Sequence, residues 1–270
     1  MIDRVDISVD EGPPILLAIA GYDPSSGAGI TADLKVYAAH GMYGVSAITA
    51  LTVQSTQGVR RVEAISPELL AETLACLRED LAISGLKIGM LATAENVGAV
   101  SRFVGSAGIQ KPYLVLDPVL KSSSGADLLS PEGVVRLKED LIPRVGWLIP
   151  NTEELAVLTG LPVGNRPEVE AAAAALASEY PGLNLVVTGG HLESPDDYLR
   201  LAGGACRWLP GRRIETTSTH GTGCAFSSAL LCRLVLGDDP VEAVVGTKAY
   251  VAEAMELAQP IGKGRGPCIS

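Results

Sequence analysis

The chain has 270 residues and carries 21 Lys and Arg against 31 Asp and Glu, which leaves a formal net charge of −10 at pH 7. An acidic chain is repelled by nucleic acid and by anionic membrane surfaces, so we expect neither as a partner. Hydrophobic residues make up 47% of the chain and charged residues only 19%, which predicts a folded protein with a large core rather than a disordered one.

Strands and helices are predicted to alternate along the chain. A polar leader, 1–14, precedes the apolar run Ile15–Ala20, which is typical of a buried strand, and apolar residues at helical spacing between Ile30 and Gly41 predict a helix. Further strands are predicted at Val45–Val53, Leu86–Leu91, Tyr113–Leu116, Trp147–Ile149 and Leu183–Val187. Further helices are predicted from Ser66 onward and at Thr93–Val104, Pro131–Leu141, Thr152–Leu158, Pro167–Tyr180, Gly223–Leu236 and Pro240–Ala258.

One segment breaks the alternation, because Tyr198–Leu201 and Cys206–Leu209 flank a glycine-containing turn and predict a hairpin. Repeated strand–helix units indicate an α/β fold with a mostly parallel central sheet and helices on both faces. No low-complexity linker divides the chain, so we expect one domain over 15–270.

Cysteine usage and the N-terminal residues bear on location. The five cysteines show no CxxC pairing and the three histidines lack metal-ligand spacing, which disfavours a disulfide scaffold and a zinc site. The first ten residues carry Asp3, Arg4, Asp6 and Asp10 rather than a basic stretch followed by an apolar one, so no signal peptide is recognised. No apolar run is long enough for a membrane span. We expect a cytoplasmic protein with reduced thiols.

A glycine-rich loop follows the first strand. Gly27-Ala28-Gly29-Ile30-Thr31-Ala32 has the G-x-G-x-x-A pattern of dinucleotide-binding loops. That pattern requires an acid at the end of the second strand, where this chain has Val53-Gln54-Ser55, and a nicotinamide dehydrogenase is therefore disfavoured. Loop Gly21–Gly29 still lies where open α/β sheets bind ligands, which favours ligand contact over a purely tight connection.

A second glycine-containing turn, Thr219–Cys224, precedes a predicted helix. Its glycines and the helix N-terminus would direct N–H groups toward an anion, for which phosphate is the natural ligand. Cys224 at this terminus is predicted to have a depressed pKa and to serve as a base or reactive thiolate. The alternative, a small buried residue without chemistry, stays open.

Acidic residues follow two predicted strands. Asp117 ends one strand and Asn151-Thr152-Glu153-Glu154 follows another, so both could hold Mg²⁺, although Asn151 and the glutamates also fit a helix cap. No G-x-x-x-x-G-K-[ST] loop is present, so a nucleotide would bind without it. We expect His40 to be structural and leave a role open for His191 and His220 beside glycine turns.

Together these motifs resemble the hydroxymethylpyrimidine/phosphomethylpyrimidine kinases of thiamine biosynthesis, in the ribokinase-like superfamily. The matching segments run in the family's order over nearly the whole chain. They are Ala20–Ile30, Ala32–Lys35, Leu51–Val59, Lys87–Leu91, Leu116–Val119, Pro150–Glu154, Gly189–Leu192, Thr219–Cys224 and Gly262–Pro267.

The resemblance implies a function and assigns roles to residues. It implies ATP- and Mg²⁺-dependent phosphorylation of 4-amino-5-hydroxymethyl-2-methylpyrimidine and then of its monophosphate, by a protein of a family that tends to form homodimers. Cys224 would be the general base, and Gly221 and Gly223 would form the anion hole. Asp117 and Glu154 would organise Mg²⁺. Asn151, Thr188 and Thr222 would lie on the nucleotide side, and Gly21, Ala28, Gln54, Met90 and Val119 would line the pyrimidine pocket.

The residues themselves support one part of this assignment. An aminopyrimidine presents a ring-nitrogen acceptor beside an amino donor, and the Gln54 amide offers a matching donor and acceptor. The chain departs from the family pattern at Tyr22, at Thr188, where many members have lysine, and over Ser122–Asp127. The alternatives are a pyridoxal or pyridoxine kinase, which shares the anion hole, and a catalytically silent ligand-binding member of the same fold.

Overall fold

A computed structural model describes residues 12–122, 125–190 and 192–268. The predicted leader lies outside the described residues except for 12–14, and so do His191 and two residues of the departing loop, Ser123 and Ser124. Among the described residues, no helix has the length and apolar character that crossing a bilayer requires.

Nine strands form one sheet in the order β3-β2-β1-β4-β5-β6-β7-β8-β9. Neighbours among β1, β2, β4, β5, β6 and β7 pair in parallel, and β3, β8 and β9 are added antiparallel at the two edges. The mostly parallel sheet and the hairpin are confirmed. The strands are β1 Ile15–Tyr22, β2 Tyr43–Ser55, β3 Gly58–Ala64, β4 Ile83–Ile88, β5 Leu114–Leu116, β6 Trp147–Leu148, β7 Asn184–Val187, β8 Asp197–Arg200 and β9 Cys206–Leu209.

Helices cover both faces of the sheet. The described helices are α1 Gly29–Ala39, α2 Pro67–Asp80, α3 Ala94–Ser106, α4 Pro131–Arg136, α5 Thr152–Thr159, α6 Arg166–Glu179, α7 Thr222–Val235 and α8 Pro240–Leu257. Alternate residues of β1 pack into the two hydrophobic cores on opposite faces of the sheet. Leu17 and Ile19 belong to the core beneath α2–α6, whereas Leu16 and Ala18 pack against α1, α7 and α8. A strand buried on both faces is therefore apolar at every position, as the run Ile15–Ala20 predicted.

Two sequence predictions need correction. Strand β3 was not predicted, because at an exposed edge Arg60, Arg61 and Glu63 give it no apolar alternation. The helix predicted over Pro131–Leu141 ends at Arg136 and continues as a π-helical turn, Leu137–Leu141. Pro143 follows at once and has no N–H with which to extend the i→i−4 hydrogen bonding.

The parallel strands all end at the same edge of the sheet. Loop 23–28 leaves β1 there, Gly89 and Met90 leave β4, Asp117 leaves β5, and Asn151 comes shortly after β6. Ligands of open α/β sheets bind outside these carboxyl ends, so the fold gathers the sequence motifs at one place.

Candidate active site

The N-terminus of α7 is open to an anion. Its N-cap, Gly221, has a left-handed backbone with φ 82°, makes no side-chain capping hydrogen bond, and is followed by no acidic residue in the first turn. A Cβ at Gly221 would collide with the carbonyl oxygen of Gly27, so glycine is required both for the backbone angle and for this close approach. The first-turn N–H groups, including those of Thr222 and Gly223, have no side-chain cap, and uncapped N–H groups at a helix N-terminus can bind an anion such as phosphate.

Cys224, in the first turn of α7, does not have the depressed pKa that its position predicted. Burial is the main reason that the pKa of the thiol is raised to about 12; the charges of Asp33 and Asp117 act in the same direction, and Lys87 and the N–H of Gly29 act in the opposite one. The prediction from the helix N-terminus was wrong because desolvation outweighs the helix dipole. The sulfur keeps its proton at neutral pH in the ligand-free chain.

An ion pair is buried behind Cys224. Lys87 Nζ lies 2.9 and 3.0 Å from the two carboxylate oxygens of Asp33, and the Ser228 hydroxyl donates to Asp33 over 2.8 Å. Neither charged side chain has exposed surface. Burial alone would lower the pKa of Lys87, but Asp33, Cys224 and Asp117 outweigh it and hold that pKa above its ordinary value. Lys87 therefore carries a fixed positive charge at the base of the site.

Asp117 and Glu154 form a second charged group beside α7. Asp117 accepts a hydrogen bond from Ser227 of α7 over 3.1 Å, and a Cβ at Gly223 would lie 3.7 Å from the same carboxylate. Burial, and next the negative charge of Asp117, together raise the pKa of Glu154 to about 8. Two carboxylates that repel each other in a buried place favour a cation between them.

Carboxylate oxygens are the donors that Mg²⁺ prefers, and this ion usually keeps waters and substrate phosphates as its other ligands. The described residues contain no group of three or more His, Cys, Asp or Glu arranged to hold a metal. Asp117 and Glu154 therefore fit Mg²⁺ and do not fit an ion that needs a complete protein cage.

The predicted pocket residues lie in two adjoining groups. Met90 packs with Ala50, Leu128 and Val119, and its sulfur lies 2.8 Å from the place where a Cβ of Gly21 would be. Gln54, half-buried on β2, lies 3.0 Å from His220 through their Nε2 atoms. Ala28, the N-cap of α1, adjoins Gly221. Loop 21–29 thus lies between the apolar side chains around Met90 and the N-terminus of α7.

Residues predicted for the nucleotide side lie on neighbouring strand ends. Asn151 and Thr188 pair as a parallel bridge, and Thr188 N–H donates to Pro150 O over 3.0 Å. The Asn151 side chain accepts from Glu154 N–H at 2.9 Å in a capping box, so the predicted helix cap is confirmed. Thr222 lies apart from them, in the first turn of α7.

The structure also shows the surroundings of Tyr22 and of the loop that includes Asp127, where the sequence departs from the family pattern. Tyr22 packs with the core beneath α1, α7 and α8, and its carbonyl oxygen accepts from the Thr52 hydroxyl over 2.9 Å. In the other loop, Lys121 and Asp127 form an exposed ion pair of 3.7 Å across the turn.

The sequence analysis did not identify three residues of the site, Lys87, Asp33 and Asp23, as functional groups. Lys87 and Asp33 were quoted only as parts of motifs, and Asp23 was quoted in the same way. A lysine within the buried apolar strand β4 was the available signal, because a buried amine requires a partner. His220, whose role was left open, lies 2.8 Å from Asp23 Oδ2 through its Nε2.

Known proteins resemble the chain over nearly its whole length. The family model described as phosphomethylpyrimidine kinase matches residues 23–269. A hydroxymethylpyrimidine/phosphomethylpyrimidine kinase of Rhizobium meliloti is 40% identical over 257 residues, which cover 94% of this chain and 95% of that protein.

Solved structures are also similar to the chain over most of its length. The crystal structure of phosphomethylpyrimidine kinase from Clostridium difficile is 33% identical, with a TM-score of 0.78 and coverage of 89% of this chain and 99% of that one. A pyridoxal kinase from Staphylococcus aureus in complex with AMP-PCP and pyridoxal is 26% identical, with a TM-score of 0.84 and coverage of 95% and 93%.

These similarities confirm the ribokinase-like fold and the resemblance that the motifs indicated. A family model that matches 23–269 includes both glycine turns, the acidic pair and Cys224. The chain belongs to the phosphomethylpyrimidine kinase family.

Proposed function

We propose that the chain uses ATP to phosphorylate 4-amino-5-hydroxymethyl-2-methylpyrimidine, and then its monophosphate, to the diphosphate used in thiamine biosynthesis. One observation carries the proposal: loop 21–29 touches the open N-terminus of α7 through Gly27 and Gly221, and the wall of the Gln54 pocket through Gly21 and Met90. An alcohol held in the pocket would therefore meet a phosphate held at α7, at Cys224.

In the first transfer, the hydroxymethyl oxygen forms a bond to the γ-phosphorus of ATP while the bond from that phosphorus to the ADP oxygen breaks. The alcohol proton passes to the Cys224 sulfur in its thiolate form. The N–H groups of Gly221 and Gly223 stabilise the charge on the transferred group, and Lys87 supplies a fixed positive charge behind it. Most of the catalysis is positioning and charge stabilisation, since phosphoryl transfer asks little covalent chemistry of a protein.

Asn151, Thr188 and Thr222 are proposed to lie along the nucleotide. The pairing of Asn151 with Thr188 supports a shared contact of these two residues with the nucleotide, and Thr222 would contact it from the first turn of α7. The AMP-PCP bound in the related pyridoxal kinase supports a nucleotide in this fold.

Asp117 and Glu154 are proposed to hold Mg²⁺ through carboxylate oxygens and water. Bound there, the ion neutralises charge on the phosphates during transfer. The raised pKa of Glu154, caused by burial and then by Asp117, supports the assignment, because the site favours added positive charge.

This pKa predicts how stability depends on pH and Mg²⁺. Glu154 has a pKa of about 8 in the folded chain against an ordinary value of 4.5, so the folded chain holds an extra proton between these values. The contribution of Glu154 to the free energy of unfolding then falls as pH rises from about 5 to 8. Mg²⁺ should raise the Tm more at the upper pH than at the lower one, as measured by calorimetry.

Glu154→Gln is the matched variant, because glutamine keeps the capping box with Asn151 and removes the charge. We expect this variant to lose most of the Mg²⁺ effect and part of the pH dependence. An equal rise in Tm in both proteins would contradict the assignment of Glu154 to the ion.

The first experiment measures Mg²⁺-dependent ADP release from ATP with hydroxymethylpyrimidine, pyridoxal and ribose offered separately, with products identified by mass. Appearance of the pyrimidine monophosphate and then the diphosphate supports the proposal. Phosphorylation of pyridoxal alone would instead favour the second candidate, a pyridoxal kinase, which the similarity to the Staphylococcus aureus enzyme supports. No turnover of any alcohol would favour a silent ligand-binding protein.

We also propose a homodimer. Leu51 and Val53 are alternate residues of β2, on one face of the β2–β3 ribbon, and are 44% and 48% exposed. A second copy of the chain is the occupant that the family's tendency to form dimers supports. Analytical ultracentrifugation should show a dimer, and Leu51→Glu with Val53→Glu should yield monomers; a wild-type monomer at all concentrations contradicts this.

A cytoplasmic location is the last part of the proposal. All five cysteines are free, which agrees with a reducing compartment. Detection of the chain in a secreted or membrane fraction of cells would contradict it.

A further inference from the structure

A hydrogen-bonded group of three side chains, the buried Asp23, the mostly buried His220 and the half-buried Gln54, joins loop 21–29 to the proposed pyrimidine pocket. His220 Nε2 lies 2.8 Å from Asp23 Oδ2 and 3.0 Å from Gln54 Nε2. The side chains of His220 and Asp23 are only 12% and 4% exposed. His220 Nε2 thus contacts both a carboxylate and an amide. Whether this nitrogen carries a hydrogen therefore determines whether it donates to these partners or accepts from them.

Asp23 is a carboxylate that can only accept. It accepts from Ser25 N–H at 2.8 Å, from the Ser25 hydroxyl at 2.7 Å, from Gly27 N–H at 3.2 Å and from Ala28 N–H at 2.9 Å. Burial raises its pKa, but the hydrogen bonds from His220 and Ser25 outweigh burial and hold the pKa below its ordinary value. His220 Nε2 must therefore carry a hydrogen and donate it to Asp23.

The His220 ring has little freedom to turn away. A Cβ at Gly27 would collide with the ring. The His220 backbone N–H donates to Gly266 O over 2.9 Å, and its carbonyl oxygen accepts from Cys268 N–H over 3.0 Å. Because ring and backbone are both held, the part that adjusts to the Nε2 hydrogen is the Gln54 amide.

A protonated Nε2 repels an NH₂ group and attracts a carbonyl oxygen. The oxygen and nitrogen of a glutamine amide are assigned by their partners, so the amide of Gln54 must turn its oxygen toward His220. The NH₂ group of Gln54 then lies on the side of the amide away from His220. Turning the amide over would exchange donor and acceptor along the edge that faces a ring in the pocket.

We propose that Asp23 and His220 are positioning residues that fix the orientation of the Gln54 amide, and so make the pocket prefer a 4-aminopyrimidine alcohol over its 4-oxo counterpart. The two rings differ in this pattern: an amino donor beside a ring-nitrogen acceptor in one, a carbonyl acceptor beside a ring N–H donor in the other. A fixed amide matches one pattern, whereas a free amide can turn to match either. This inference rests on the proposed function.

The test compares His220→Leu with His220→Gln. Glutamine can place an NH₂ group near the position of Nε2, with one hydrogen for Asp23 and one for the Gln54 oxygen, whereas leucine has a similar size and no donor. We expect the ratio of kcat/KM for the amino ring to that for the oxo ring to fall about tenfold or more in the leucine variant, mainly through KM. The glutamine variant should keep most of the ratio.

Ser25→Ala is a control for loosening of the loop, since it removes one hydrogen bond to Asp23 and leaves the His220 nitrogen untouched. Its ratio should equal that of the wild type. An unchanged ratio in His220→Leu, or an equal fall in the leucine, glutamine and alanine variants, would overturn the proposal.

A second measurement needs neither a variant nor turnover. The chain has three histidines, so the tautomer of His220 can be assigned by long-range ¹H–¹⁵N NMR of the wild type. We expect a hydrogen on Nε2, and a bare Nε2 would overturn the proposal. If the wild type phosphorylates neither ring, the proposed function fails, and the NMR result still decides the orientation of the amide.

Discussion

Cys224→Ala is expected to lower kcat for phosphorylation of the pyrimidine alcohol by about 10²- to 10⁴-fold, the usual contribution of a general base. The fold should survive, because alanine removes only the thiol from the first turn of α7. Steady-state kinetics at saturating ATP, with circular dichroism to check folding, provide the measurement. Cys76→Ala is the matched control, since Cys76 is an exposed thiol on α2 and its loss should leave kcat unchanged.

The raised pKa of Cys224 adds a pH test of the same role. Burial holds this pKa at about 12, so within an ordinary assay range only a small fraction of the sulfur is thiolate. That fraction grows about tenfold per pH unit below the pKa, and because kcat/KM reports the groups of the free enzyme, log(kcat/KM) should rise with pH with a slope near one. Near-normal activity in Cys224→Ala, or a flat profile in the wild type, would reject Cys224 as the base.

Lys87→Met is expected to cost about 3–5 kcal/mol in the free energy of unfolding, because it leaves the Asp33 carboxylate buried without its cation. Lys87 and Asp33 have no exposed surface and lie 2.9 Å apart, so solvent cannot replace the lost charge. Urea denaturation measures the change. Lys138→Met, on a partly exposed pair with Glu179 at 3.9 Å, should cost much less, about 1 kcal/mol or below.

The double variant Lys87→Met with Asp33→Asn separates charge from packing. Asparagine removes the unpaired charge and keeps a partner for the Ser228 hydroxyl, so the double variant should regain much of the lost stability. Its activity should stay low, because the site has lost the positive charge behind Cys224. A loss below about 1 kcal/mol in Lys87→Met would show that the pair is not the buried charge pair inferred here.

Much of the fold could be predicted from the sequence because it depends on local pattern. The run Ile15–Ala20 forms the first six residues of β1, with alternate residues in the two cores. Ser66 caps α2 through Leu69 N–H, and a helix was predicted from Ser66 onward. Such features depend on neighbouring residues in the chain, so their physical cause is visible in the sequence. The edge strand β3 lacked any such pattern.

The arrangement of Asp117 and Glu154 could be predicted only in part from the sequence motifs. Asp117 and Glu154 were predicted at strand ends; in the structure Asp117 accepts a hydrogen bond from Ser227 of α7, and its charge acts on Glu154. Topology makes this possible, because parallel strands bring their carboxyl ends to one edge. What the sequence could not give is the strength of their repulsion, which depends on how deeply both are buried.

The sequence by itself determined the fold class, the helix caps, the family and the positions of the residues with candidate chemistry. Only the tertiary structure decided the protonation of those residues and their partners. Lys87 and Asp33 are 54 residues apart, and His220 and Asp23 are 197 apart, so neither pair leaves a local pattern. The pKa of Cys224 was mispredicted for the same reason: desolvation and the charges across the site, set by packing of distant segments, outweigh the helix terminus that the sequence shows.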